Sequence, residues 1–143
     1  MTVRAILDFK GRDVTTITPD KTLRDAASLL SDHKIGALVV VGADHRVTGI
    51  LSERDIVRSI SASGAAALDE KISSCMTRDV VTCGLHETMA NLMERMTAGR
   101  FRHVPVIDSS RLIGIISIGD VVKYRLAEME RESSALRDYI RTA

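Results

Sequence analysis

Aromatic residues and charge of one sign are both scarce in this chain of 143 residues. Phe, Trp and Tyr make up 3% of it, Trp is absent, and the formal net charge is +1. Proteins that bind nucleic acid usually carry a basic surplus on one face or aromatic side chains that stack on bases. The composition therefore argues against nucleic acid as a partner and leaves Val, Ile, Leu, Met and Ala to build the core.

Cysteine and long apolar runs are also lacking. Cys75 and Cys83 are too few for a disulfide framework or a metal cage, and we interpret them as small, partly buried side chains rather than a redox pair. No stretch approaches the length of a membrane span, and the N-terminal residues lack the apolar run of a signal peptide. The sequence therefore predicts a cytoplasmic protein with no membrane partner.

The sequence also lacks the common catalytic motifs. The chain has no Walker loop, no Gly-x-Ser-x-Gly and no His-Glu-x-x-His, and its four histidines are scattered without metal-ligand spacing. We therefore predict that the protein is not an enzyme, with no catalytic residue, no catalytic cofactor and no metal.

What the sequence does contain is an internal repeat. Shifted by about 66 residues, Val14–Ile17 aligns with Val80–Cys83 and, beyond a one-residue gap in a turn, Asp55 aligns with Asp120. A loop tolerates such a change of length. We therefore divide the chain into a first repeat with the N-terminal segment, residues 1–66, and a second repeat with a C-terminal helix, residues 67–143. Together they form one module.

Each repeat has the same predicted order of elements: a short strand, a helix, two strands joined by a tight turn, and a second helix. The predicted elements of the first repeat are Val14–Ile17, a helix from Thr22, Ala37–Val41, Val47–Leu51 and a helix after Ser52; those of the second are Val80–Cys83, a helix from Thr88, His103–Ile107, Leu112–Ile116 and a helix after Ser117. Three strands cannot bury both faces of a sheet alone. The predicted fold class is therefore α+β: two β-α-β-β-α repeats packed with pseudo-twofold symmetry, with clefts between them.

Two further segments have helical patterns. Leu68–Met76 predicts a short helix that leads into the second repeat, and Asp120–Ile140 predicts a long C-terminal helix with apolar residues along one side. Because that helix outruns its counterpart in the first repeat, we expect part of it to lie on a second subunit, which makes the protein a homodimer.

Two motifs, each present twice, carry a family resemblance. Gly49–Asp55 and Gly114–Asp120 follow the pattern Gly-h-h-Ser/Thr-x-x-Asp, where h is apolar, and Ile35–Val40 is matched by Phe101–Val106. The chain resembles the CBS domain family over residues 14–125. The resemblance implies a stand-alone CBS pair that binds AMP, ATP, NAD or a related adenosyl ligand between its repeats and thereby regulates a partner.

The resemblance places the motif residues Ser52, Asp55, Ser117 and Asp120 at the ligand. A carboxylate can accept hydrogen bonds from both hydroxyls of a ribose, and such charge-assisted bonds are strong. A Ser-x-x-Asp sequence at a helix start also resembles a capping box, and one copy alone would favour capping. Two copies in matching repeats favour the ligand role, and the two roles are compatible.

The remaining candidate ligand residues also rest on the resemblance. Adenine would be held by backbone and apolar groups of Thr16, Ile17, Thr18, Ile35, Gly36, Ala37 and Thr82. Phosphates would be held at Arg54 and around Phe101, Arg102 and His103. Arginine suits phosphate because its planar group presents forked donors, although charge clusters are often only solvated surface and His103 could be a simple half-buried histidine.

Each cleft is expected to draw on both repeats. One would combine Thr16, Thr18, Gly36, Ala37, Ser117 and Asp120; the other would combine Thr82, Phe101, Arg102, Ser52, Arg54 and Asp55. The repeats differ at these positions, so the clefts should differ in affinity. The competing interpretation is a ligand-free dimerisation or scaffold module, which the long C-terminal helix would also suit.

Overall fold

The computed structural model describes residues 1–142, which form six α-helices and five β-strands. In chain order they are α1 (Val3–Lys10), β1 (Thr16–Ile17), α2 (Leu23–His33), β2 (Ala37–Val41), β3 (Val47–Ser52), α3 (Glu53–Ser63), α4 (Ile72–Cys75), α5 (Met89–Gly99), β4 (His103–Asp108), β5 (Arg111–Ser117) and α6 (Ile118–Thr142). Two short 3₁₀-helices, Ala43–His45 and Gly64–Asp69, complete the described chain. The predicted α+β class is confirmed, and so is the predicted order of elements except for the first strand of the second repeat.

The strands form two small sheets. In the first, β1 runs parallel to β2, and β2 pairs antiparallel with β3. In the second, β4 pairs antiparallel with β5. The strand predicted at Val80–Cys83 is wrong: only Cys83 forms a bridge, parallel to Val106, through its amide to Pro105 and its carbonyl to Ile107.

Hydroxyl side chains begin the helices where the sequence predicted. Thr22 accepts a hydrogen bond from the Asp25 amide at the start of α2, and Thr88 accepts one from the Asn91 amide at the start of α5. These bonds satisfy amide groups that the first turn of a helix leaves unpaired. Both helices end in a left-handed residue, Lys34 and Arg100, after which the chain turns into a central strand.

The two sheets pack against each other through β-branched and leucine side chains. Val39 and Val41 of β2 lie against Leu112 of β5, and all three are buried. Each repeat also has its own core between its sheet and its helices. The sheet-on-sheet arrangement predicted from the short strands is therefore confirmed.

The segment that precedes each repeat packs on the other one. Helix α1 comes before the first repeat, yet Val3 and Leu7 are buried in the core of the second. Helix α4 comes before the second repeat, yet Ile72 is buried in the core of the first. Equivalent backbone bonds anchor both segments, from Val3 to Glu87 and from Ile72 to Lys21. This exchange ties the two repeats into one unit.

The sequence analysis missed α1. It also predicted one helix in the connection between the repeats, where the structure has two short helices. The single helix predicted for Leu68–Met76 is wrong, because the 3₁₀-helix ends at Asp69 and α4 begins at Ile72. Between them, Leu23 donates its amide to the Glu70 carbonyl and Lys71 bridges Thr22. The intervening residues thus pair with the start of α2 instead of continuing a helix. The division of the chain at residues 66 and 67 stays a prediction.

The long C-terminal helix predicted for Asp120–Ile140 is present as α6, Ile118–Thr142. Val121 anchors it to the core of the second repeat, whereas residues 129–142 are all exposed. Within residues 1–142, no helix combines the length and the apolar character needed to cross a membrane.

Gly114 makes a test of the exchanged packing, because a Cβ at this position would lie 2.8 Å from two carbons of Leu7. We expect Gly114→Ala to lower the free energy of unfolding by about 1–3 kcal/mol, the usual cost of overpacking a core. Gly84→Ala is the matched control, since its Cβ would meet no atom within 4 Å. Urea unfolding measures both. Equal stability of the two variants would contradict the packing of α1 on β5.

Candidate functional site

A cleft of about 310 Å³ opens where the two repeats meet. Its walls come from β2 and β4, from the end of β3 and the start of α3, and from the chain just after α4. Its lining residues are Gly36, Ala37, Ile50, Ser52, Glu53, Arg54, Asp55, Arg58, Thr77, Arg100, Phe101, Arg102 and His103. The predicted cleft between repeats is therefore present.

Asp55 is the buried acid of this cleft, with 5% of its surface exposed. It stands at the third position of α3, directly after Ser52 ends β3. One carboxylate oxygen, Oδ2, accepts hydrogen bonds from the Ser52 amide at 2.9 Å and from its hydroxyl at 3.2 Å. The Asp55 amide in turn donates to Ser52 Oγ, which completes a capping box. The predicted capping role of the Ser-x-x-Asp motif is confirmed.

The second oxygen of Asp55, Oδ1, is held more weakly. It accepts only long bonds, 3.4 Å each, from the Thr77 hydroxyl and from the exposed Arg58 guanidinium. Bonds of this length are near the limit for hydrogen bonding. This oxygen can therefore exchange its partners for stronger donors, such as the hydroxyl groups of a sugar, without disturbing the helix cap.

Arginine side chains surround the acid. Arg54 and Arg58 come from α3, and Arg100 and Arg102 come from the segment that enters β4. This arrangement provides positive charge from both repeats at one opening. Planar guanidinium groups in such a cluster suit the oxygens of a phosphate.

His103 lines the same cleft at the start of β4. Burial lowers its pKa below the ordinary 6.5, the neighbouring Arg102 and Lys10 lower it further, and Asp120 and Glu53 oppose them. His103 is therefore neutral at pH 7 and offers a hydrogen bond rather than a charge. A Cβ on Gly36 would lie 3.9 Å from the Glu53 carboxylate and 4.0 Å from the His103 ring, so both side chains border Gly36 in the cleft.

The second motif has a different partner. Asp120 Oδ2 accepts the Ser117 amide at 2.8 Å and the Ser117 hydroxyl at 3.0 Å, as in the first repeat. It also forms an ion pair at 2.6 Å with Lys10 of α1. Burial raises the pKa of Asp120, but the bonds from Lys10 and Ser117 outweigh it and hold the net pKa below the ordinary value.

Lys10 and Thr77 occupy corresponding places in the two repeats. The Thr77 amide donates to the Ile50 carbonyl at 2.9 Å, and its hydroxyl donates to Asp55. The Lys10 ammonium donates to Ile115, the counterpart of Ile50, at 2.8 Å and to Asp120. One motif aspartate thus meets a hydroxyl and the other meets a cation. The sequence analysis missed both residues because they lie outside the aligned repeats.

The structure groups the predicted ligand residues differently from the expectation. It brings together eight of them in the cleft described above: Gly36, Ala37, Ser52, Arg54, Asp55, Phe101, Arg102 and His103. Gly36 and Ala37 thereby line the cleft at Asp55, whereas the prediction grouped them with Asp120. Asp120 instead faces a groove between α1 and α6 that is also lined by Phe9, Lys10 and Tyr124.

The other predicted residues lie apart from this cleft. Thr16, Ile17 and Thr18 line a shallow depression beside α2, and Thr82 lines another beside His86 and Ser109. Ile35 packs against the core of the first repeat. Ser117 caps Asp120 as described. Their contacts with a ligand stay predictions.

Both cysteines are free thiols, Cys83 buried and Cys75 half-buried. Burial raises the pKa of Cys83 to about 12, and burial also raises the pKa of Cys75, which donates to Glu70. Both thiols are therefore protonated at pH 7 and weakly nucleophilic. Among residues 1–142, no group of three His, Cys, Asp or Glu side chains is arranged to hold a metal ion.

Two repeats, each with a helix, two antiparallel strands and a closing helix, exchange their leading segments and share a cleft with a capped aspartate, which defines a tandem-repeat module. A family model described as "CBS domain" matches residues 6–62 and 72–127. This chain belongs to the CBS domain family and forms a CBS pair, a regulatory module, as its motifs predicted.

Individual relatives agree with this membership. A mitochondrial CBS domain-containing protein of Arabidopsis thaliana is 34% identical over 147 residues, which cover 97% of this chain and 71% of that protein. The crystal structure of a CBS-domain containing protein from Agrobacterium tumefaciens is 54% identical with a TM-score of 0.82, covering 87% of this chain and 92% of that one.

A further solved structure is informative through its ligands. It is a CBS domain pair in complex with 5-methylthioadenosine and S-adenosyl-L-methionine. It is 25% identical to this chain with a TM-score of 0.77, and the match covers 87% of this chain and 98% of that one. Pairs with this fold therefore include one that binds adenosyl compounds.

The Lys10–Asp120 ion pair should make stability depend on pH. Because the folded pKa of Asp120 lies below its ordinary 3.8, the pair stabilises the chain above that pH and its contribution disappears as pH falls through the folded pKa. We expect Lys10→Met to lower the free energy of unfolding by about 1 kcal/mol at pH 7, in keeping with a half-exposed pair.

Urea unfolding from pH 7 down to pH 3 measures this contribution, and the difference from the unsubstituted chain should shrink at the acid end. Lys34→Met, on an exposed lysine with no ion pair in residues 1–142, is the control. A difference that stays constant across this range would contradict the assignment.

Proposed function

We propose that this CBS pair is a non-catalytic regulatory module that binds an adenine nucleotide, AMP, ATP or NAD, in the cleft at Asp55. The observation that carries the proposal is the composition of that cleft. It combines a nearly buried carboxylate, four arginines and a glycine backbone, and residues from both repeats contribute.

Each part of a nucleotide has a partner of suitable chemistry in this cleft. The weakly bonded Oδ1 of Asp55 and the Ser52 hydroxyl suit the ribose hydroxyls, because a carboxylate accepts from both at once. Arg54 and Arg102 suit the phosphates. The backbone at Gly36 and Ala37 suits the adenine ring, since Gly36 has no Cβ to keep a ring at a distance.

Regulation follows from the position of the cleft. A ligand that contacts α3 of one repeat and the start of β4 of the other restrains their relative placement. Ligand binding then favours one arrangement of the repeats, to the extent that the ligand binds that arrangement more tightly. We propose that a partner protein senses this arrangement, and that the module acts in the cytoplasm as a homodimer without nucleic acid or membrane.

The two motif aspartates should contribute unequally to binding. A ligand that approaches Asp120 meets the Lys10 ammonium on the same oxygen that caps α6. A ligand at Asp55 meets only the weak bonds of Thr77 and Arg58. We therefore expect the tighter site at Asp55.

Asp55→Asn tests the ribose contact. Asparagine keeps the size and capping ability of the side chain but loses its charge, and a hydrogen bond to a charged group contributes about 1.5–3 kcal/mol. We expect affinity for AMP, ATP or NAD to fall roughly 10-fold to 100-fold in calorimetry. Asp44→Asn, in an exposed turn, should bind like the unsubstituted chain. Unchanged binding by both Asp55→Asn and Asp120→Asn would refute the proposed role.

Arg102→Gln tests the phosphate contact. We expect it to weaken binding of AMP several-fold and to leave binding of adenosine unchanged, because adenosine has no phosphate for the guanidinium to contact. Arg46→Gln, on an exposed turn residue outside the cleft, is the matched control. Calorimetry with both ligands measures the difference. Equal losses for AMP and adenosine would contradict a phosphate role.

The alternative function is a ligand-free dimerisation or scaffold module, which the exposed apolar side of α6 favours. Thermal unfolding with AMP, ATP, NAD and S-adenosyl-L-methionine separates the two. A ligand present at 100 times its dissociation constant should stabilise the folded chain by about 2.7 kcal/mol. No response to any of these compounds would support the scaffold.

A further inference from the structure

One side of α6 presents an exposed apolar stripe, whose first two residues also line a depression beside Met93 and Thr97 of α5. Its members, which we call the α6 seam, are Val122, Leu126, Met129, Ser133, Leu136 and Ile140. The five apolar side chains are each 50–65% exposed. Large exposed apolar patches usually mark interaction sites.

The spacing of the seam is that of a coiled coil. Its members follow one another at intervals of four, three, four, three and four residues. Such a repeat of 3.5 residues keeps one stripe facing a partner helix along its whole length. In heptad terms, Leu126, Ser133 and Ile140 are at position a, and Val122, Met129 and Leu136 are at position d.

The half of α6 that carries most of this seam has no support from the rest of the chain. Residues 129–142 are all exposed, whereas the equivalent helix of the first repeat, α3, stops at Ser63. An isolated helix of about this length is marginal in water. A partner helix packed on the seam would stabilise it.

We propose that the α6 seam joins two copies of this chain in a parallel, in-register, two-stranded coiled coil. This inference builds on the homodimer proposed above and adds its interface and direction; it does not depend on nucleotide binding. Each seam residue would then face its own copy, which gives five apolar layers and one serine layer.

The charges that flank the seam select the direction. In a parallel pair, residues at position g meet position e of the partner five residues further on. Arg125 then meets Glu130 of the second copy, and Glu132 meets Arg137, so both contacts have opposite charges. Glu132 and Arg137 form no ion pair of their own within residues 1–142 and are available for this contact.

The opposite direction brings like charges together. If two helices overlapped fully in an antiparallel pair, with Leu126 against Leu136, then Glu130 would lie near Glu130 and Glu132 near Glu132 of the second copy. Like charges in these positions are unfavourable and disfavour the wrong orientation. The charge pattern therefore favours the parallel arrangement.

Equilibrium ultracentrifugation of the full chain tests the interface. We expect the unsubstituted chain to be a dimer and Leu126→Glu/Leu136→Glu to raise the dissociation constant at least about 100-fold, because two apolar layers are lost. The matched control is Ser134→Glu/Ala135→Glu, which adds the same charges away from the seam. Unfolding midpoints of both variants verify that the repeats remain folded.

A cysteine substitution tests the direction. Ser133→Cys should give an interchain disulfide under mild oxidation, because a parallel in-register pair places residue 133 directly beside its copy, whereas in the fully overlapped antiparallel pair residue 133 faces Met129. Ser134→Cys, one residue away and off the seam, should not. The unsubstituted chain controls for Cys75 and Cys83.

The outcomes separate the claims. A monomeric unsubstituted chain would overturn both the homodimer and this interface. A dimer that survives Leu126→Glu/Leu136→Glu would overturn the interface and leave the homodimer standing. A dimer that depends on the seam but gives no Ser133→Cys disulfide would overturn the parallel direction.

Discussion

The reciprocal exchange of leading segments is the constraint on which the rest of the structure depends. A two-stranded or three-stranded sheet cannot bury its own faces. Here Leu7, from before the first repeat, closes over Gly114, and Met76, from before the second, closes over Gly49. Each repeat therefore needs a piece of chain that lies next to the other. The relative position of the repeats, and with it the shape of the cleft, follows from this packing.

The exchanged segments also determine the chemistry of the two motif aspartates. After Met76 the chain becomes extended and brings the Thr77 hydroxyl to Asp55. At the equivalent place α1 remains helical and brings the Lys10 ammonium to Asp120. The repeats share their motif and differ in what lies against it. Asp55 and Asp120 therefore differ in their contacts because of Thr77 and Lys10, which lie outside the duplicated part of the sequence.

Much of the fold could be predicted from the sequence because local patterns specify it. The paired apolar runs joined by tight turns, the helix starts at Thr22 and Thr88 and the Ser-x-x-Asp helix starts are all local signals. The sequence analysis missed α1 because its buried apolar residues, Val3 and Leu7, pack into the core of the second repeat, which is far away in the sequence. No local pattern indicates that contact. The strand expected at Val80–Cys83 is not formed. Residues with high β propensity do not guarantee pairing along a whole segment, and here only Cys83 forms a bridge.

The site was predictable to a similar extent. The motif located Asp55 and its cap, and the repeat implied a cleft with contributions from both halves. The grouping of Gly36 with Asp55 and the partners Thr77 and Lys10 depend on the packing of the repeats, for which no local pattern exists.

Hydrogen exchange followed by mass spectrometry, with and without AMP, tests the central claim most directly. If one nucleotide bridges the repeats, amides around residues 36–37, 52–55 and 101–103 should gain protection together, although 36–37 and 101–103 lie more than sixty positions apart in the chain. Protection confined to one repeat would contradict the account. So would the absence of any gain in protection at AMP concentrations that saturate related CBS pairs.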